Sequence, residues 1–338
     1  MAMELLPKLG VKGVSMPISI HLKSVTVIVQ LLFLAMTWGT GWQLNAQLLT
    51  KQDLEKEIIA YEAASIQAKT RDMPALQAGR IWSHLGVLYQ DAGMYGKSEQ
   101  ALEQAMRLLA VEPVSTSDLA AAIDSLGMLY METGNVKDAE RAETNAMKMR
   151  EKAGLKSELS RSWYHLATLY LRQHQTARAK EFAERAVNAF SADEGAAPED
   201  KLGSQLVLAS ALCQARQYTE AIERLESSLK MAKENYGPGT LPTGFSSFLL
   251  GYAFWKSGNL SSADGFLQDG AAILGNVLGW EHPDYLIVMT RYAQFLRDQH
   301  RTDRAKAIEQ QVKSTRAQIG GNPAYGHGSQ TMDVTALF

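Results

Sequence analysis

The chain has 338 residues, 46% of them apolar and 21% charged, with a net charge of −2. That apolar fraction can bury a core and excludes disorder throughout, while the near-neutral balance supplies no electrostatic footprint for a nucleic acid partner. One cysteine, Cys213, excludes an intramolecular disulfide framework and any four-thiolate zinc site.

Lys8, Lys12 and Lys23 precede a run from Ser24 to Thr50 that holds no charged side chain, and Val25 to Trp38 is apolar apart from Thr26, Gln30 and Thr37. A basic flank, an apolar stretch and a small residue closing a polar segment are the parts of a secretory signal peptide. Residues 1–46 are read that way, with cleavage after Ala46 and a start at Met1 or Met16. A membrane anchor over residues 24–50 is the competing reading, because the uncharged run exceeds the roughly 20 residues that span a bilayer. Gly39, Gly41, Gln43 and Asn45 interrupt that run and favour cleavage. Positive charge on the near side places the bulk of the chain outside the cytoplasm in either case, in the periplasm or outside the cell.

Lys51 to Thr70 reads as a helix with Leu54, Ile58 and Tyr61 on one face. It stands where the second helix of a truncated first repeat or capping unit belongs, within residues 47–80. From there a period of about 42 residues takes over. Leu85, Leu126, Leu166, Leu208, Leu250 and Tyr292 stand 40 to 42 residues apart, and each is followed by glycine or alanine, at 86, 127, 167, 209, 251 and 293. Three positions further on come Tyr89, Tyr130, Tyr170, Leu212, Phe254 and Leu296. Nine beyond those are Ser98, Ala139, Ala179, Ala221, Ala263 and Ala305, and seven later Ala105, Ala146, Ala186, Ser228, Gly270 and Val312. Two antiparallel helices approach closely only where one offers a residue without bulk for the other to cover. Small residues at one register on both helices therefore mark the seam of a helical hairpin, repeated six times. Stacked hairpins must complete one another's cores, which predicts an all-α solenoid over residues 81–319.

These residues carry a resemblance. Trp82-x-x-Leu85-Gly86-x-x-Tyr89 with Gly93, Tyr95 and Ser98-x-x-x-Leu102, and again Trp163-x-x-Leu166-Ala167-x-x-Tyr170 with Ala179 and Ala186, resembles the tetratricopeptide repeat. Ala221-x-x-x-Leu225 and Ala263-x-x-x-Leu267 resemble its second helix. The long period, with Glu281-His282-Pro283-Asp284-Tyr285, is similar to the kinesin-light-chain subclass. HEAT and armadillo repeats share the period without this register, and a propeller would need strands. The resemblance implies a right-handed α-α superhelix of about six hairpins plus a half repeat. Pro113, Pro198, Pro238, Pro242 and Pro283 fall between repeats, where a missing N–H does no harm. Gly258 follows the family's turn between helices, whereas His174, Arg216 and His300 depart from it. The last helix, Thr302 to Ile319, is polar outside Ala305, Ala307, Ile308 and Val312, as a solvated cap requires, and residues 320–338 read as a mobile tail.

No catalytic constellation stands out. The seven histidines show no metal-binding pair at helical spacing. His84 and His165 each precede the register leucine, a structural place, and Cys213 reads as a small buried hydrophobe. Gly244-Phe-Ser246-Ser-Phe248 lacks the second glycine of a nucleophile elbow. The expectation is a protein that is not an enzyme and has no cofactor.

What remains is the concave surface, which the resemblance lines with the first helix of each repeat. Arg80, Ser83, Asp124, Met128 and Thr168 fall there. The candidate partner-binding residues are Arg161, Tyr164, Arg172, Phe248, Tyr252, Trp255, Lys256 and Arg297. Aromatic side chains among arginines give large contact area at low entropy cost, with bidentate pairing to carboxylates. The function expected is a scaffold holding a partner polypeptide in this groove. The alternative is a structural spacer or assembly subunit of a cell-envelope complex.

Overall fold

The computed structural model describes residues 51–70, 73–111 and 115–320. The expected signal peptide or anchor, Pro113 and residues 321–338 lie outside the described residues. Among those described there are thirteen helices and no strand, and none of the helices is long and apolar enough to cross a membrane.

The chain divides into two compact units, 1–73 and 74–338. The first contributes α1 (Lys51–Thr70), on which Ile58, Tyr61, Ala64 and Ala68 are buried while Ile59 and Ile66 are each 62% exposed. The second unit is a row of six hairpins. They are α2 (Ala75–Asp91) with α3 (Tyr95–Leu109), α4 (Thr116–Glu132) with α5 (Val136–Ala153), and α6 (Lys156–Arg172) with α7 (Thr176–Ala192). Then follow α8 (Pro198–Gln214) with α9 (Tyr218–Tyr236), α10 (Leu241–Ser257) with α11 (Leu260–Leu278), and α12 (Pro283–Asp298) with α13 (Thr302–Gly320). The first of them opens at Ala75, ahead of Ile81: Ala78 is already buried and Gly79 packs beneath Leu109 of the partner helix.

The small residues do what their register requires. Ser98, Ala139, Ala179, Ala221, Ala263 and Ala305 have no exposed surface at all. At the glycines of the seam, a methyl group would collide with the opposite helix. A Cβ on Gly86 would stand 2.6 Å from Leu102 Cγ, one on Gly251 2.6 Å from the Leu267 backbone nitrogen, and one on Gly270 2.6 Å from the Phe248 nitrogen. Leu102, Leu225 and Leu267, each fully buried over this seam, contribute about 1.5–3 kcal/mol apiece relative to an exposed side chain. From Met131 to Val312 the buried residues form one continuous apolar core through successive hairpins, as a solenoid demands.

All six turns within hairpins have one geometry. The residue after the first helix's last turn takes a left-handed conformation at Gly93, Gly134, His174, Arg216, Gly258 and His300, with φ between 54° and 89°. The next amide donates to the carbonyl of the large register residue five positions earlier. Met94 donates to Tyr89, Asn135 to Tyr130, Gln175 to Tyr170, Gln217 to Leu212, Asn259 to Phe254 and Arg301 to Leu296, all at 2.7–2.9 Å. This is the six-to-one hydrogen bond that closes a helix C-terminus. His174, Arg216 and His300 therefore do not depart from the turn, as the sequence had suggested. They adopt it at the steric cost that glycine avoids.

Between hairpins, Pro198 opens α8, Pro242 lies in the first turn of α10 and Pro283 opens α12, where no helical hydrogen bond is lost. On α13, Ala305 and Val312 are buried and most other residues are exposed, so it closes the row with a solvated face.

Candidate partner-binding groove

The eight candidate residues come from the first helices α6, α10 and α12, and the structure sorts them into separate settings. Phe248 is fully buried, its backbone pressed on Gly270, so it belongs to the α10–α11 seam and cannot meet a partner. Trp255 is also largely covered, at 7% exposed. Its indole N–H donates to Asp298 Oδ2 at 3.0 Å, and its ring meets Phe295 and Tyr252 edge-on, each at 5.7 Å. It is a platform that carries its neighbours.

Tyr252 and Lys256 stand on that platform. Lys256 Nζ lies 3.7 Å above the Trp255 ring and 5.4 Å from the centre of the Tyr252 ring, a cation over aromatic faces. Burial lowers the Lys256 ammonium below its usual range; Asp298 acts against that and Arg291 adds to it. The Tyr252 phenol is pushed up to about 12 by burial, with Arg291 opposing. Arg291, on α12, therefore belongs to this cluster, and its Nε is buried without a hydrogen-bond partner while Nη1 donates to Gln294. Sequence reasoning passed over Arg291 because it stands one position before the register Tyr292, a place otherwise assigned to the hairpin interior. Lys256 and Arg291 together, with Asp298 already engaged by Trp255, leave a basic edge beside an aromatic surface.

The remaining candidates are drawn elsewhere. Arg297 is exposed and makes a bidentate pair with Glu309 of α13, at 2.6 and 2.5 Å. Arg161 lies 3.6 Å from Asp200 across α6 and α8, as Arg80 pairs with Asp118 across α2 and α4 at 2.8 Å. Both tie one hairpin to the next. Tyr164 is half-buried with its ring over Gly203, where a Cβ would come to 3.5 Å, and burial and Asp200 raise its phenol. Arg172, at the end of α6, faces carboxylates from two other hairpins. Burial pushes Glu132 of α4 up to about 7, aided by Asp91 and Asp284 and opposed by Gln90 and Arg172. Burial likewise raises Asp284 of α12, against the pull of His282 and Arg172. Charged groups of hairpins one, two, three and six thus act on one another around Glu132 and Asp284.

Asp124, expected in the groove, is buried instead in a polar cluster between α4, α5 and α6. Arg150 of α5, itself 1% exposed, reaches Asp124 Oδ2 at 2.5 Å, Glu158 Oε2 at 3.3 Å and Ser162 Oγ at 2.6 Å. His165 Nδ1 lies 3.2 Å from Glu143 Oε2. Glu143 was not singled out from sequence, although a signal existed. It stands four residues after the seam Ala139, where Leu102, Leu225 and Leu267 follow their own seam residues.

Comparison with known proteins agrees with this architecture. Among solved structures, a Rap conjugation gene regulator of the plasmid pLS20 in complex with the Phr* peptide superposes with a TM-score of 0.67 at 14% identity, over 95% of this chain and 83% of that one. NprR in complex with its cognate peptide NprX gives 0.57 at 14% identity, over 85% and 88%. Kinesin light chain TPR-like repeats of Podosopora anserina give 0.49 at 24% identity, over 58% and 94%. Comparison with curated proteins gave no match. Family models described as Tetratricopeptide repeat match residues 79–108, 119–153, 160–193 and 202–276. With their seams and turns in register along all six hairpins, the chain belongs to the tetratricopeptide repeat family.

Proposed function

We propose that the protein is an exported, non-enzymatic scaffold that holds a carboxylate-bearing segment of a partner polypeptide against the cluster of Tyr252, Lys256 and Arg291. The observation that carries this reading is the basic edge of Lys256 and Arg291 over the aromatic platform of Trp255 and Tyr252. Trp255 fixes the lysine, burial and to a lesser degree the neighbouring Arg291 depress the lysine's affinity for its proton, and a carboxylate arriving there offsets both charges. Tyr252 supplies flat apolar contact beside the charges, the composition of an interaction hot spot. Rap and NprR, which share the fold, are described in complex with peptides, and this supports a peptide or protein partner. The export half of the proposal rests on the basic flank and apolar run of residues 8–50, and the intact mass of the protein recovered from its host tests it. A chain still carrying Met1 or Met16 would refute cleavage.

A peptide library presented with free and with amidated C-termini, read by fluorescence polarisation, tests the groove. Ligands selected by the full chain should lose at least about tenfold in affinity to Tyr252→Ala and to Lys256→Glu, with the helical circular dichroism spectrum retained. Undiminished binding by both variants would remove the groove from the proposal. Trp255→Ala is unsuited to this test, because a buried tryptophan costs about 3–5 kcal/mol of stability when truncated.

A further inference from the structure

Four residues after the seam residue of each second helix stand Leu102, Glu143, Ala183, Leu225, Leu267 and Glu309. Glu309 lies on the closing helix, paired with Arg297. Glu143 alone carries a charge into the interior: its side chain has no exposed surface. The side chain of Asp124 is 5% exposed and that of His165 13%. A buried carboxylate in a leucine's position costs several kcal/mol unless something of opposite charge meets it.

The surroundings supply too little. Asp124 and Glu143 bring two buried negative charges, and Arg150, which also reaches the part-exposed Glu158, brings one positive. With His165 neutral, the cluster is short of positive charge. Its open valences agree: Glu143 Oε1 and Asp124 Oδ1 are buried and make no hydrogen bond. Asp124, Glu143 and His165 each offer one ligand atom, and these lie within 4.8 Å of one another.

We propose that Asp124, Glu143 and His165 bind one divalent transition-metal ion, with zinc the best match to one imidazole and two carboxylates. A divalent ion supplies the missing positive charge. Zinc bonds of about 2.0–2.2 Å require the three ligand atoms to draw together on binding. Arg150 supports the site from outside, holding one Asp124 oxygen while Glu158 and Ser162 fix the guanidinium. The exposed edge of His165 is the way in. The ion would join α4, α5 and α6, and so lock the second hairpin to the third.

The test uses the full chain stripped with EDTA at pH 7.5, then given zinc chloride and desalted. The expected result is one retained zinc per chain by elemental analysis, and a melting temperature raised by about 5–10 °C at free zinc near 100 times Kd. Glu143→Leu restores the residue that three other repeats carry at this position. It should fold, melt no lower than the wild type in EDTA, and retain no zinc, while His165→Gln should lose both the metal and the thermal shift. A wild-type chain that retains no zinc overturns the proposal, since protons then fill the cluster. Equal retention by wild type and Glu143→Leu overturns it as well, since the metal then sits elsewhere.

Discussion

Adding one methyl group at two glycines of the same hairpin should move stability in opposite directions. Gly251 and Gly265 both lie in helix interiors, α10 and α11, where alanine is intrinsically favoured by about 0.8–1.0 kcal/mol. At Gly265 nothing lies within 4 Å of the added Cβ, so Gly265→Ala should stabilise by about 0.5–1 kcal/mol. At Gly251 the same atom would meet the Leu267 backbone nitrogen at 2.6 Å, Leu267 Cγ at 2.8 Å and the Phe266 carbonyl carbon at 3.1 Å. Two of these three are main chain and cannot swing away. To reach an ordinary contact the helices must part by about 0.8 Å at the centre of their seam, and overpacking of this kind costs about 1–3 kcal/mol. Against the gain in propensity, Gly251→Ala should lose about 1 kcal/mol. The two variants should therefore differ by roughly 2 kcal/mol, or about 4–8 °C in melting temperature by circular dichroism. A Gly251→Ala protein that melts above wild type alongside Gly265→Ala would refute the close seam and the register built on it.

Other consequences follow from single residues. His174→Gly, Arg216→Gly and His300→Gly should each raise the urea midpoint by the equivalent of up to about 1 kcal/mol, because left-handed backbone penalises a side chain; Gly93→Ala and Gly258→Ala should lower it. Ala221→Leu, at a site with no exposed surface, should cost about 1–3 kcal/mol. Lys230→Leu, on a side chain 77% exposed, should cost almost nothing. Burial pushes the His84 imidazole down to about 4 while the unfolded chain keeps a value near 6.5. The unfolded state thus binds more protons between those values, and stability should fall by about 1–3 kcal/mol as the pH drops from 6.5 to 4. His84→Gln should flatten that segment of a stability-against-pH curve. Burial raises the Cys213 thiol to about 12, so thiol reagents should label it only as the chain unfolds.

The hairpin row was legible because its rule is steric and local. A position that admits only glycine, alanine or serine cannot drift without parting two helices, so Gly86, Ala139 and Ala221 display the period openly. The turns were less legible. At His174, Arg216 and His300 the left-handed backbone is imposed by the hydrogen bond to Tyr170, Leu212 and Leu296, which no side chain at the turn reports. The groove was legible only as a list of positions. Phe248 and Trp255 share a helical face with Tyr252, but the neighbouring helices α11 and α12 cover the first two. The covering of Trp255 by α12 depends on how two hairpins rotate against each other, and sequence spacing within one hairpin does not encode that.

Glu143 shows where a repeat carries its most specific information. Once three copies place a buried leucine at this position, Glu143 can be judged against them, and a buried carboxylate in a leucine's place carries a measurable energetic penalty. Were it a mere tolerated defect, its neighbours should be apolar and relaxed around it. They are Asp124, Arg150, Glu158, Ser162 and His165, drawn from three helices and held at hydrogen-bonding distances. Replacing Glu143 alone by leucine should therefore leave Asp124 and Arg150 still paired and the hairpin still folded, and remove only what Glu143 and His165 share. If instead that single change unfolded the second hairpin, the cluster would be holding the fold up, and the search for its ligand would have no footing.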